Sequence, residues 1–200
     1  MTKGTTQQVL ELAKQMGVLQ VRDLTSRGIH PEYLRRLFKK GLLMRTGRGL
    51  YVAADAEISV NHGLAEACKR VPHGVVCLLS ALQFHELGTQ SPFEVWMALD
   101  RRAARPRINY PPLRIMRFSG EALTQGIEEH LIEGVQVRVY SPEKTVADCF
   151  KYRNKIGNDV ALEALRDCRA QKKCRNDELW HYAKICRVAN VMRPYLEATA

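Results

Sequence analysis

The side chains best suited to chemistry with a partner are the cations between residues 31 and 48. They are Arg35, Arg36, Lys39, Lys40, Arg45 and Arg48. Guanidinium and ammonium groups supply both charge and hydrogen-bond donors to phosphate oxygens. Residues 1–52 hold 10 basic and 3 acidic residues, a net charge of +7, out of +10 for the whole chain. The residue types therefore favour a surface for a polyanion over an ordinary solvated helix face.

The segment from Pro31 to Gly41 has the pattern of a helix of about three turns. Proline suits a first-turn position, and glycine suits the left-handed residue that follows a helix. At about 100° per residue, the apolar side chains of Leu34, Leu37 and Phe38 fall on one face. We therefore expect this face to pack inward and the cations to project outward.

The neighbouring patterns place this helix in a winged helix-turn-helix. Residues 18–27 have a short helical pattern, and residues 28–30 form a tight turn into the basic helix. Two strand patterns, at residues 42–45 and 50–53, flank a loop whose glycines permit positive φ. A helix over residues 5–16 precedes them. This fold presents one helix and one hairpin to duplex DNA, and the predicted DNA-binding residues are Tyr33, Arg35, Arg36, Lys39, Lys40, Arg45 and Arg48.

The predicted contacts divide between the helix and the hairpin. We expect Arg35, Arg36 and Lys39 to enter the major groove, and Arg45 and Arg48 to contact the flanking backbone or minor groove. A glutamate cannot bind phosphate, so Glu32 is expected either to read a cytosine amine or to orient an arginine.

Strand and helix patterns are segregated in the rest of the chain. Helical patterns at residues 61–71 and 75–87 precede strand patterns at 93–99, 113–118, 127–133 and 135–140, and the last 60 residues are helical. The fold class predicted is α+β, with a winged helix-turn-helix domain over residues 1–55 and a mixed α+β domain over residues 56–200 that has a helical C-terminal end. Between two strand patterns, residues 100–107 hold four arginines, which either contact nucleic acid or stay hydrated.

No catalytic, cofactor or metal motif stands out. Ser141–Lys144 matches Ser-x-x-Lys formally, but a serine before Pro-Glu also suits a helix cap, and the companion motifs are missing. Two weaker alternatives remain. One is a zinc site formed by Cys168, Cys174 and His181. The other is a nuclease site, for which the candidate residues are Glu94, Asp100, Glu143 and Lys144. We expect no enzyme activity, no cofactor and no bound metal.

Composition indicates a cytoplasmic protein without membrane contact. The first eight residues lack the apolar region of a secretory signal, and no apolar stretch approaches the length of a membrane span. Six cysteines without a Cys-x-x-Cys pair are expected to be free thiols.

Two blocks of sequence carry a resemblance to a known family. Gly28 to Tyr51 ends in Arg-Gly-Leu-Tyr, and Tyr140 to Gly157 contains Ser-Pro-Glu-Lys-Thr-Val-Ala-Asp-Cys-Phe. The first block is similar to the N-terminal winged helix, and the second to the C-terminal domain, of the AbiEi antitoxins of abortive-infection toxin–antitoxin pairs. The resemblance implies a repressor of its own operon that binds inverted repeats. It also implies antagonism of a partner nucleotidyltransferase toxin, of type IV, without a stable complex.

The second block predicts either an antitoxin surface or an ordinary amphipathic helix, and the residues leave both open. The predicted antitoxin surface comprises Lys144, Asp148, Lys151, Arg153 and Lys155. The alternative function is a stand-alone winged-helix transcriptional regulator with a ligand- or partner-binding C-terminal domain. Its pocket would be lined by residues such as His85, Trp96 and Phe118.

Overall fold

A computed structural model describes residues 4–197. The chain divides into two compact units. The first comprises the chain up to Pro72 together with Ile108–Pro111 and Leu131–Val137; the second comprises His73–Arg107, Pro112–His130 and the chain from Arg138. The domain boundary predicted between residues 55 and 56 stays a prediction. The first unit also includes the helix that follows residue 55 and two later segments of the chain.

The first unit contains a winged helix-turn-helix and one further helix. Its elements are α1 (Thr5–Met16), β1 (Leu19–Gln20), α2 (Val21–Thr25), α3 (Glu32–Lys39), β2 (Leu43–Gly47), β3 (Leu50–Ala53) and α4 (His62–Arg70). The strands form an antiparallel sheet in the order β1-β3-β2. The predicted helix over residues 18–27 is shorter than expected because its first residues pair with β3 as β1.

Local sequence explains both ends of α3. The backbone N–H of Glu32 donates to Nδ1 of His30 at 3.2 Å, which satisfies a first-turn donor that has no partner within the helix. Gly41, just beyond the last turn, has φ +69°, a conformation that glycine adopts without strain.

Packing fixes the rotation of α3 about its axis. Leu34 and Leu37 are buried in the core of the first unit, as predicted. The expectation that Phe38 packs inward with them was wrong, since Phe38 is 45% exposed. Its ring lies edge-on to Tyr51 on β3, with 6.3 Å between centroids, because the adjoining sheet covers only part of this side of the helix.

A five-stranded mixed sheet forms the base of the second unit, although residues 131–137 of its last two strands belong to the first unit. Its strands are β4 (Val75–Val76), β5 (Val95–Asp100), β6 (Leu113–Phe118), β7 (Ile127–Ile132) and β8 (Val135–Tyr140), in the order β6-β5-β4-β8-β7. β4 is antiparallel to β5 and parallel to β8, and β5 is parallel to β6. The prediction of one helix over residues 75–87 was wrong: its first residues pair with β5, and helix α5 spans only Leu78–Phe84.

The C-terminal end is helical, as predicted. After the short helix α6 (Glu121–Thr124) and the last strand come α7 (Pro142–Lys151), α8 (Arg153–Ile156), α9 (Asn158–Ala170), α10 (Asn176–Ile185) and α11 (Ala189–Glu197). The hydroxyl of Ser141 accepts a hydrogen bond from the backbone of Lys144, so this serine caps α7. These helices contribute much of the core of the second unit. The predicted fold class, α+β with an N-terminal winged helix-turn-helix, is confirmed.

Across residues 4–197, no helix combines the length and apolar character needed to cross a membrane.

Candidate nucleic-acid interface

Helix α3 presents a cationic face to solvent. The side chains of Arg35, Arg36 and Lys39 are exposed, and so is Lys40 just after the helix. The buried leucines on the opposite side hold this orientation, because rotating the helix to bury a cation would expose the core. The three predicted cations of α3 and the adjacent Lys40 are therefore all accessible to a partner.

Two contacts within α3 order part of this face. The guanidinium carbon of Arg36 lies 5.2 Å from the ring centroid of the half-buried Tyr33, a cation–π contact. Arg35 lies 4.0 Å from the Glu32 carboxylate. A pair at this distance between exposed groups contributes little, so Arg35 is free to turn toward a phosphate.

The β2–β3 hairpin is the wing and brings two further cations to the surface. Arg45 on β2 is exposed, and its Nε donates to the carbonyl of Gly47 at 3.2 Å. Arg48 is exposed in the loop, and its carbonyl accepts a hydrogen bond of 2.6 Å from the guanidinium of Arg70 on α4. The loop backbone is thus held by α4 while the Arg48 side chain faces solvent.

The sequence patterns do not predict a polar cluster beneath the wing, which surrounds one fully buried carboxyl group. Glu66 of α4 has no exposed surface and accepts a hydrogen bond from the hydroxyl of Thr46 on β2. His62 lies between two carboxylates, 3.3 Å from Glu66 and 2.6 Å from Glu133. The backbone N–H of Ser59 also donates to Glu133. We call Thr46, His62, Glu66 and Glu133 the wing anchor.

Electrostatics explains the ionisation of the wing anchor. The Glu66 carboxylate, 3.3 Å away, raises the pKa of His62 to about 9, aided by Glu133 and opposed by burial. Burial alone would raise the pKa of Glu133, but its hydrogen bonds with His62 and Ser59 outweigh burial and lower it. Burial lowers the pKa of Arg70, against the charge of Glu66. His62 is therefore protonated at neutral pH and lies between the carboxyl groups of Glu66 and Glu133.

The predicted antitoxin surface is not one surface. Lys151 and Lys155 are exposed, but Arg153 is half-buried and its Nη1 donates to the carbonyl of Phe150. The prediction that Lys144 and Asp148 lie on the surface was wrong, since neither has any exposed area. The reason is that α7 is packed between helices and the sheet of the second unit, which covers both charged positions.

The buried pair has partners of its own. Lys144 Nζ lies 2.5 Å from Asp148, 4.2 Å from the ring centroid of Tyr140 and 5.1 Å from that of Phe118. Cys186 donates through its thiol to Asp148 at 3.2 Å. These contacts make the pair a structural feature of the core rather than a surface for a partner.

The alternative sites lack the expected geometry. Glu94 and Asp100 stand at opposite ends of β5, about 20 Å apart at the usual rise per residue, so they cannot share one metal ion. Within residues 4–197 no group of three or more His, Cys, Asp or Glu residues is arranged to hold a metal ion, which covers the zinc candidate. Trp96 and Phe118 of the suggested regulator pocket are each 4% exposed and belong to the core.

Comparison with known proteins supports the resemblance predicted for the first unit. Residues 7–54 match the family of transcriptional regulators described as AbiEi antitoxin. The predicted resemblance to this family of DNA-binding antitoxins is thereby confirmed at the N-terminus. The fold is similar to the crystal structure of the RV2827C protein from Mycobacterium tuberculosis, with a TM-score of 0.60 and 16% identity over 92% of this chain and 72% of that one. No curated protein matches the chain.

Proposed function

We propose that this protein is a cytoplasmic, DNA-binding antitoxin that represses its own toxin–antitoxin operon and counteracts a nucleotidyltransferase toxin. The observation that carries the DNA-binding part is the exposed cationic face of α3, set in a winged helix-turn-helix whose residues 7–54 match the AbiEi antitoxin regulators. The operon, its inverted repeats and the toxin are taken from the resemblance to that family.

The proposed docking places α3 in the major groove. Arg35, Arg36 and Lys39 then approach base edges and phosphates, while Arg45 and Arg48 of the wing contact the flanking backbone or minor groove. Tyr33 supports Arg36 through the ring contact. Glu32, 4.0 Å from Arg35, either reads a cytosine amine or orients that arginine once DNA is bound.

Replacing two cations of α3 tests this interface. We expect Arg36→Ala/Lys39→Ala to weaken binding to the DNA upstream of the chain's own gene, because two phosphate or base contacts are lost. The slope of log affinity against log salt should become shallower by about 1.8, at about 0.9 per phosphate contact. Fluorescence anisotropy over a salt series measures both quantities.

The matched control removes the same charge from the second unit. Arg166 and Lys184 are exposed, so Arg166→Ala/Lys184→Ala keeps the core intact. We expect this variant to bind the same DNA as the unaltered protein does. Equal losses in the two double variants would refute the assignment of α3 as the DNA-contacting helix.

Antitoxin activity has a separate test. We expect an adjacent reading frame to encode a nucleotidyltransferase whose expression stops growth, and co-expression of this chain to restore it. The Arg36→Ala/Lys39→Ala variant, expressed from an unrelated promoter, should restore growth equally, since the resemblance assigns antagonism to the C-terminal domain. Growth that stays arrested with the unaltered chain would refute the antitoxin assignment while leaving DNA binding intact.

A further inference from the structure

A second basic surface follows the edge of the sheet in the second unit. β6 is an edge strand, and a loop rich in arginine follows its neighbour β5. Two hollows lie along this edge. We call the exposed arginines that line them the arginine cleft: Arg101, Arg102, Arg105, Arg114 and Arg117.

Arg114 is held in a fixed orientation. Its Nε lies 2.7 Å from the carboxylate of Glu94, and its guanidinium lies 4.8 Å from the ring centroid of Trp96. Trp96 is buried and belongs to the core of the second unit. Arg114 therefore presents its remaining donors from a rigid position, which reduces the entropy lost on binding an anion.

Arg117 fixes the start of the loop. Its Nη1 donates to the carbonyls of Asp100 at 2.9 Å and Ala103 at 2.7 Å. The carboxylate of Asp100 accepts a hydrogen bond of 2.7 Å from the backbone N–H of Arg102. This part of the loop is thus ordered by its own contacts, and Arg101 and Arg102 project from a defined backbone.

In the part of the chain that the structure describes, three of the cleft's five arginines have no acidic partner, although the carboxylates of Glu94 and Asp100 line the same hollows. Among residues 4–197, no carboxylate forms an ion pair with Arg101, Arg102 or Arg105. Residues 100–117 hold six arginines and no lysine. Arginine binds phosphate with two parallel donors and stacks on planar rings, so this composition fits a nucleic acid better than a simple acidic surface.

An exposed aromatic ring stands beside the cleft. Phe93 is 87% exposed and directly precedes Glu94, the partner of Arg114. Basic grooves that bind single strands use such rings as stacking platforms for bases. In a duplex the base faces are covered by neighbouring pairs, so Phe93 has no use there.

We propose that the arginine cleft and Phe93 form a binding site for single-stranded nucleic acid. The arginines contact successive phosphates, and Phe93 stacks on a base at the end of the row where Arg114 and Glu94 lie. Charges along an edge strand also prevent pairing with another chain. That role does not account for Phe93, because an exposed aromatic ring beside an edge favours aggregation. The site goes beyond the proposed function and does not depend on it.

The test uses the full chain carrying Arg36→Ala/Lys39→Ala, which reduces binding by the winged helix. The probes are labelled oligouridylate and oligothymidylate of about 12 nucleotides, within the range of known single-strand sites. Fluorescence anisotropy should show binding that Phe93→Ala weakens about tenfold and Phe93→Tyr preserves. Arg101→Ala/Arg102→Ala/Arg105→Ala should make the salt slope shallower by about 2, at about 0.7 per contact on a single strand.

A matched control removes three exposed cations elsewhere in the second unit, in Arg166→Ala/Lys184→Ala/Arg193→Ala. This variant should bind as its parent does. Equal losses in the two triple variants, or no effect of Phe93→Ala, would overturn the site. So would binding of a duplex of the same length as tight as that of the single strands. Tighter binding of oligouridylate identifies RNA as the ligand, and equal binding indicates that either strand is accepted; both results support the site.

Discussion

Lys144 and Asp148 form an ion pair without exposed surface inside the second unit. Burial raises the pKa of Asp148, and the nearby ammonium of Lys144 opposes that rise. Removing two ions from water is costly, and only their mutual attraction and further hydrogen bonds offset the cost. Each partner therefore depends on the other more strongly than a surface pair does.

We expect Lys144→Met to lower the free energy of unfolding by about 3–5 kcal/mol, because it leaves the Asp148 carboxylate buried without a counter-charge. Lys144→Met/Asp148→Leu should recover part of this loss, since no unpaired charge remains. Urea unfolding followed by tryptophan fluorescence measures both, as Trp96 and Trp180 lie in the second unit. The exposed Lys151→Ala is the control, expected within about 0.5 kcal/mol of the unaltered protein. A similarly small effect of Lys144→Met would contradict the role of the pair.

At the scale of elements, local sequence predicts the helices and strands whose ends carry capping residues or glycines. Helix α1, the basic helix α3, the wing and strand β6 follow from periodicity, capping residues and glycines. β4 could not be predicted, because a two-residue strand inside an apolar run has no period that separates it from a buried helix. Phe38 is exposed because the rest of the first unit covers only part of α3. The helical repeat of apolar residues does not show how wide the covered face is.

Contacts between residues far apart in the sequence also could not be predicted from sequence patterns. Thr46 and Glu66 of the wing anchor are 20 positions apart, and His62 and Glu133 are 71 apart. A glutamate on an amphipathic helix is normally expected in solvent. The cations of the candidate DNA interface were predicted because they lie on one helix and one hairpin, whereas the support beneath the wing required tertiary contacts.

At the scale of the whole molecule, we expect the wing anchor to make the stability of the first unit depend on pH. His62, Glu66 and Glu133 all belong to the first unit, while both tryptophans belong to the second. Far-UV circular dichroism reports on both units, and tryptophan fluorescence reports on the second. Unfolding followed by the two signals can therefore assign a pH effect to a unit.

The pKa of His62 is about 9 in the folded protein and about 6.5 in an unfolded chain. Its contribution to stability is therefore fully present below pH 6.5, declines as the pH rises, and is lost above about pH 9. A shift of this size corresponds to an upper bound of about 3.5 kcal/mol, at about 1.4 kcal/mol per unit, and solvent screening of the partly exposed ring lowers it. We expect His62→Gln to remove this decline from urea unfolding followed by circular dichroism, with a smaller change in fluorescence. An unchanged pH dependence in His62→Gln would show that the charged bridge between Glu66 and Glu133 does not stabilise the first unit.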